Sequence, residues 1–421
     1  MKQFVPRWIQ GRIDRALKAL PVVVVAGARQ TGKSTLVRHI QPKRSYLSLD
    51  DLDVLDQARR DPDSLLAHPP LTLDEVQRAP ELLLAIKRRV DEQRRAGDFL
   101  LTGSAQFALM RNVADSLAGR AVYLDLNPFC PLEWQRATHA DALVGSLFGD
   151  DPDFSLWETT SKTGHWMEWV LRGGFAPALE IADSEARALW FGGYVQTYLE
   201  RDLRELSDVS SLPDFQRMMR IAAQRTGRLL NQAEVARDAG IAHVTCHRYL
   251  NLLETGFQIA RLKPYTANPT TALVKSAKLF WSDSGLAAWL AGIHDRATLA
   301  KRADVGFWLE QAVFQTLQAW CGNDPFRRRL SYWRTRGGDE VDFVLEEDQR
   351  SVAIEVKAGG RVGLDDVRGL RRFADSHRGA TKLVRGVALY GGRDIRFLGD
   401  RVVAMPYAAL FPPPAEAEGT A

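Results

Sequence analysis

The stretch Val22-Val23-Val24-Val25-Ala26-Gly27-Ala28-Arg29-Gln30-Thr31-Gly32-Lys33-Ser34-Thr35 reads as a buried strand that stops at a glycine loop and restarts as a helix. Gly27 and Gly32 permit backbone angles that a β-carbon forbids, so successive amide N–H groups can converge on a triphosphate at the helix N-terminus, where the helix dipole favours anions. The spacing Gly-x-x-x-x-Gly-Lys-Ser assigns Gly27, Gln30, Thr31, Gly32, Lys33, Ser34 and Thr35 to nucleotide binding. Lys33 supplies a mobile positive charge, Ser34 places a hydroxyl on Mg²⁺, and Thr35 packs or caps behind it.

Two further strands extend this reading. Leu71-Thr72-Leu73-Asp74-Glu75 is a short apolar run ending in paired carboxylates. Asp74 is placed to complete the Mg²⁺ shell, and Glu75 to polarise the attacking water. The run Phe99-Leu100-Leu101-Thr102-Gly103-Ser104 ends in small polar residues, of which Ser104 or Thr102 suits a polar sensor near the γ-phosphate. Continuously apolar strands alternating with helices predict a parallel sheet covered on both faces, with the ligand at the strands' carboxyl ends.

These strings, together with Ser116-Leu117-Ala118-Gly119-Arg120, Arg172-Gly173-Gly174-Phe175-Ala176-Pro177 and Tyr198-Leu199-Glu200-Arg201-Asp202-Leu203, resemble the widespread prokaryotic AAA+ ATPases that carry a C-terminal domain of long-uncharacterised function. The resemblance spans nearly the whole chain. It implies ATP and Mg²⁺ as ligands, a homo-oligomer built as a hexameric ring, and an arginine reaching the neighbour's γ-phosphate. Arg120 is the first candidate for that arginine, followed by Arg201 and Arg204.

The chain has 421 residues and a formal net charge of +4, which predicts several domains and by itself implies no nucleic acid. No apolar run reaches bilayer-spanning length, and the three cysteines Cys130, Cys246 and Cys321 lack metal-ligand spacing. A cytoplasmic protein with reduced, buried thiols is the expectation. Between Phe215 and Lys278 the bases Arg217, Arg220, Arg225, Arg228, Arg237, Arg248, Arg261, Lys263, Lys275 and Lys278 face only Glu234, Asp238 and Glu254. Such a local excess is the footprint of a phosphate-facing surface.

Within that segment, Asn231 to Leu253 has the layout of a helix-turn-helix. Val235 and Ala236 lie inside the first helix, Gly240 supplies the turn, and Val244, Leu250 and Leu253 are predicted to bury the second. His243, Thr245, His247 and Arg248 then face outward toward DNA. Phe257 to Tyr265 follows as a β-wing carrying Arg261 and Lys263, which makes a winged helix by pattern. Upstream, a tryptophan-rich helical connector ends in a helix from Ala186 to Leu206 whose apolar face includes Leu189, Trp190 and Tyr194.

Near the C-terminus, Glu310 falls in a helix, Asp342 in the strand around Val341 to Leu345, and Glu355 and Lys357 in the run Val352-Ala353-Ile354-Glu355-Val356-Lys357. This order of acids and base resembles the metal-dependent nuclease core of restriction enzymes, the PD-(D/E)xK type. Period-2 alternation puts Glu355 and Lys357 on one strand face, with Asp342 adjacent as the second Mg²⁺ carboxylate, Lys357 on the water and Glu310 on a metal-bound water.

The predicted organisation is multidomain α/β. An AAA+ phosphate-loop ATPase domain covers 1–135, a helical connector 136–206, a winged helix 207–295, a restriction-endonuclease-like domain 296–411 and a disordered tail 412–421. The functional expectation is ATP-driven action on DNA, with branched, single-stranded or Holliday-junction-type intermediates in repair or defence as substrates. The alternative is a nucleotide-dependent regulatory switch with a protein-binding winged helix and an inactive nuclease fold.

Overall fold

In a computed structural model of the chain, the structure describes residues 4–103, 117–136, 140–149, 154–158, 165–197, 211–265, 276–335, 337–376, 382–399 and 401–413. Ser104, Arg201, Arg204, Lys275 and the tail beyond residue 413 lie outside them.

The N-terminal sheet comprises β1 (Val22–Ala26), β2 (Ser45–Ser48), β3 (Leu71–Asp74), β4 (Phe99–Gly103) and β5 (Ala121–Asp125), in the order β2-β3-β4-β1-β5 with every pairing parallel. The valine run explains why β1 is central. Val22 and Val24 enter one core with Leu71, Leu73 and Ile86, while Val23 and Val25 enter the other with Ile13, Leu17, Leu36 and Leu124. A strand buried on both faces has no position for a polar side chain, hence four valines in succession.

The middle region is helical. Trp157, Trp166 and Trp169 are buried in one continuous core that also takes in Phe215, Tyr249 and Trp308. The connector helix spans Ser184–Thr197, and Leu189 on it is 73% exposed, so the face buried is that of Phe191, Tyr194 and Val195. The helices Gln232–Ala239 and His243–Thr255 are joined at Gly240, whose φ of 63° is the left-handed conformation that glycine adopts without a Cβ clash. Val244 is 78% exposed, contrary to the expected burial; Cys246 and Tyr249 fill the inner positions beside Leu250 and Leu253. Each helical residue turns the side chain by about 100°, which puts 246, 249, 250 and 253 on one stripe and leaves 244 off it. All three cysteines are buried free thiols.

Two antiparallel strands, β6 (Ile259–Leu262) and β7 (Lys278–Trp281), follow this helix pair. The C-terminal sheet is mixed: β8 (Arg328–Arg334), β9 (Glu340–Glu347), β10 (Arg350–Val356), β11 (Lys382–Tyr390), β12 (Arg396–Phe397) and β13 (Val402–Pro406), in the order β12-β13-β11-β10-β9-β8. The Val305–Asn323 helix covers one face, where Phe314 stacks near Phe343 in a core shared with Leu345, Val352 and Ile354. The Arg368–Ser376 helix covers the other, with Phe373 and Leu370 over Val344, Ala353 and Ala388. No helix among the described residues is long and apolar enough to cross a membrane.

Candidate functional sites

The phosphate loop runs from the end of β1 to the Lys33–Ile40 helix. A Cβ at Gly27 would collide with the carbonyl oxygen of Leu126, and Gly32 caps the helix at φ 89°. Both glycines are therefore dictated by geometry, one by close approach of β5's continuation and the other by a left-handed turn. Gln30 also holds a positive φ of 65° and is exposed. The Thr31 hydroxyl donates to the Ala28 carbonyl at 2.9 Å, and the Lys33 ammonium donates to the carbonyls of Gly27 and Ala28 at 2.9 and 2.8 Å. Thr35 is exposed, so it does not pack behind Ser34 as expected.

Asp74, at the end of β3, gathers the site. Its Oδ1 accepts from Ser34 Oγ at 3.0 Å and from the Thr102 hydroxyl, while Oδ2 accepts from the Tyr46 hydroxyl at 2.5 Å. Burial foremost, then the Asp74 contact, pushes the Tyr46 phenol up to about 12, so it remains a neutral donor. Glu75 adopts a left-handed φ of 59°, with its N–H donating to Thr102 Oγ1 at 3.2 Å and its Oε2 accepting from Gln77. A non-glycine residue in that region is held there by its surroundings, a common property of working side chains. Ser34 and Asp74 meet closely enough to share one cation between hydroxyl and carboxylate, so the donor set fits Mg²⁺ beside a triphosphate.

Sequence reasoning did not single out Arg7. It is 6% exposed, and it donates to the Thr31 carbonyl at 3.0 Å, to the Asn127 carbonyl at 2.8 Å and to both oxygens of Glu133 at 3.2 Å. Its guanidinium also lies 3.9 Å from the centre of the Phe129 ring. No local pattern around Met1 to Trp8 announces this role, because all four partners are distant in sequence. Tyr46 carried a weak signal, as the polar-facing residue of a short strand beside β3.

Arg120 lies just beyond Gly119, whose φ is 72°, and forms a forked pair with Asp91 at 2.6 and 2.9 Å. Its planar fork is thus engaged within the chain.

Much of the basic segment is likewise paired. Arg217 meets Asp214, Arg225 meets Glu234 and Asp238, Arg228 meets Asp304 and Arg261 meets Glu254. Arg220, Arg248 and Lys263 are exposed, with no carboxylate in pairing range among the described residues. His243 is exposed at the first turn of its helix and Thr245 is half-buried. The His247 ring bonds Gln232 and Asn251 at 3.0 Å each, and Arg261 donates to Asn251 at 2.8 Å.

At the C-terminal sheet, Glu310, Asp342 and Glu355 do come together and all three are buried. The cluster also contains a base that the sequence reading left with the surface charges. Lys278 of β7 is 1% exposed and its ammonium lies 3.3 Å from Glu310, 3.3 Å from Asp342 and 2.6 Å from Glu340. Burial alone would lower its pKa; the three carboxylates outweigh that and raise it. Val356 N donates to Asp342 Oδ2 at 2.8 Å, and Lys357 pairs with Glu355 at 2.9 Å. No group of three histidine, cysteine or acidic side chains among the described residues is arranged to hold a metal ion. The residues therefore do not fit the Mg²⁺ of a nuclease centre: an ammonium stands among the carboxylates at hydrogen-bonding distance.

Residues 20–134 match the AAA domain family model, 163–297 a domain of unknown function (DUF8612), and 305–410 a second one (DUF4143). The uncharacterized proteins Rv2008c of Mycobacterium tuberculosis and Mb2031c of Mycobacterium bovis are each 32% identical over 399 residues, spanning 94% of this chain and 82% of theirs. The chain belongs to their family. The alignment with them spans nearly the whole chain, and the first matched region is the AAA+ ATPase module whose phosphate loop is described above. Among solved structures, the Walker-type ATPase PABY2304 of Pyrococcus abyssi superposes with a TM-score of 0.44 at 16% identity, covering 68% of this chain and 96% of that one.

Proposed function

We propose that the chain hydrolyses ATP at the Gly27–Ser34 loop and uses the nucleotide state as a regulatory switch on the domains that follow. The observation that carries this is the convergence of Ser34, Thr102 and Tyr46 on the single carboxylate of Asp74 beside the loop. Lys33 exchanges the Gly27 and Ala28 carbonyls for the β- and γ-phosphate oxygens. Ser34 and Asp74 hold Mg²⁺, which when bound neutralises charge on the phosphates. Glu75, oriented by Gln77, accepts the hydrogen bond of the attacking water, and Thr102, the other candidate for the polar sensor, senses the γ-phosphate. In a homo-oligomeric ring, Arg120 leaves Asp91 for the neighbour's γ-phosphate. Measured ATP turnover tests this: Lys33→Ala and Glu75→Gln proteins that hydrolyse ATP at the wild-type rate would sink the assignment.

The regulatory output is favoured because the arginines around the helix pair are largely neutralised by neighbouring carboxylates. A second reading, in which this pair and the β6–β7 strands act as a winged helix on DNA, has its own support. His243, Arg248, Arg220 and Lys263 are exposed, and such groups suit phosphate contact. Branched or junction DNA in repair or defence remains the substrate class of that reading. ATP turnover measured with and without four-way-junction DNA separates the two: stimulation that fades with salt supports DNA action, whereas an unresponsive rate supports the switch.

A further inference from the structure

We propose that the Lys278 ammonium is the resident cation of the acid cluster between β7, the Val305–Asn323 helix and the β9–β10 hairpin. In this role it stands where a divalent ion would otherwise bind, and its removal converts the cluster into a divalent-cation site. The inference is independent of how the phosphate loop is read.

Three observations support it. The first is position: Lys278 Nζ has carboxylate oxygens of Glu310, Glu340 and Asp342 within 3.3 Å and is nearly sealed from solvent. Those separations suit N–H···O bonds and are too long for Mg²⁺ or Mn²⁺, whose oxygen ligands sit at about 2.0–2.2 Å. The second is an orphan: Glu355 Oε2 is buried without a hydrogen-bond partner, on a residue only 9% exposed, while Oε1 is taken by Lys357. A buried acceptor with nothing to accept is costly and marks unused ligand capacity. The third is charge: Glu310, Glu340, Asp342 and Glu355 face Lys278 and Lys357, with Arg334 reaching only Glu340, at 3.5 Å. Carboxyl groups outnumber the ammonium groups inside the cluster, so a doubly charged ion in place of one ammonium is balanced by carboxyls that release their protons as it binds.

Lys278 also has a mechanical consequence. It projects from β7, which pairs with β6 directly after the His243–Thr255 helix. Tyr265 N donates to the Tyr332 carbonyl at 2.5 Å, and Tyr332 N to the Lys263 carbonyl at 3.2 Å, joining the same strands to β8 through the backbone. The ammonium thus ties β7 to the C-terminal helix and sheet beside these backbone bonds.

The test is a Mn²⁺ titration of the full-length protein without nucleotide, read by electron paramagnetic resonance of free Mn²⁺. The comparison covers wild type, Asp342→Asn, Lys278→Ala, Lys278→Arg and the Lys278→Ala/Asp342→Asn double variant. Wild type and Asp342→Asn are expected to take up the same Mn²⁺, any shared uptake belonging to the phosphate loop. Lys278→Ala is expected to gain one Mn²⁺ per chain, which the double variant loses and Lys278→Arg never acquires. Mn²⁺ should raise the melting temperature of Lys278→Ala and leave that of wild type unchanged. Asp342-dependent uptake by wild type overturns the proposal, as does a folded Lys278→Ala protein with no gain. If Lys278→Ala does not fold alone, recovery of folding in Mn²⁺ supports the proposal and its failure in Mn²⁺, with Lys278→Arg folded, counts against it. ATP turnover of the same proteins, measured separately, reports on the phosphate loop alone.

Discussion

The Arg7 guanidinium donates to the carbonyl of Thr31 at 3.0 Å while its other nitrogens grip Glu133. A residue ahead of the first helix therefore braces the phosphate loop against the Pro131–Trp134 helix. Phe129, beneath the same guanidinium, bonds Gly174 at 2.8 Å, and Gly174 N in turn donates to Asp283 at 2.5 Å. The loop is in this way linked by direct contacts to the strand that ends just before Asp283.

Breaking this brace should be costly. Arg7→Ala leaves Glu133 buried and unpaired, a change worth about 3–5 kcal/mol. The expected outcome is a lower melting temperature and a raised KM for ATP. A variant whose melting temperature and KM both match wild type would show that Arg7 braces nothing.

Tyr46→Phe removes one of the donors that fix Asp74. A hydrogen bond to a charged group contributes about 1.5–3 kcal/mol, so the Mg²⁺ concentration for half-maximal turnover should rise by roughly tenfold or more at 1.4 kcal/mol per decade. The ATP KM at saturating Mg²⁺ should change little. An unaltered Mg²⁺ dependence would refute the positioning role.

If Arg120 acts at the neighbouring phosphate as proposed, Arg120→Ala should abolish most ATP turnover when subunits are assembled, because an alanine offers no charged fork there. Mixing it with a Glu75→Gln protein should restore part of the rate, since each variant supplies what the other lacks. Absence of any restoration, with both proteins assembled, counts against action between subunits.

Stability should depend on pH through Glu355. Burial first, and the Asp342 charge next, push its carboxyl up from 4.5 to about 8. Between those values the folded protein holds a proton that the unfolded chain has released. This contribution is complete below about pH 4.5 and is lost as pH rises through about 8. The melting temperature of wild type should therefore fall from pH 5 to pH 8 more steeply than that of Glu355→Gln. Parallel curves for the two proteins would remove Glu355 as the cause.

A substitution at Gly27 tests the fold and the site together. Gly27→Ala drives a methyl group into the Leu126 carbonyl oxygen, so nucleotide binding should be lost even if the sheet survives. Retained ATP affinity would mean that the loop and β5's continuation move apart freely.

The phosphate loop, the Asp74–Glu75 pair, the central valine strand and the helix pair around Gly240 were legible in the sequence because each is written in neighbouring residues. A valine run and a glycine spacing are local, and the backbone conformations they permit are local too. The burial of Val244 and the packing of Thr35 were misread because a helical stripe depends on which face the rest of the fold covers. Within the acid cluster, Glu310, Asp342 and Glu355 were identifiable as an ordered set of acids. Lys278 was not, since a lysine 32 residues before Glu310 and 64 before Asp342 looks like any surface base. Sequence alone determined that this chain carries a phosphate-loop cradle. Only the tertiary structure decided that Arg7 holds that cradle and that an ammonium stands among the C-terminal carboxylates, because both depend on charges brought together from distant parts of the chain and shielded from water.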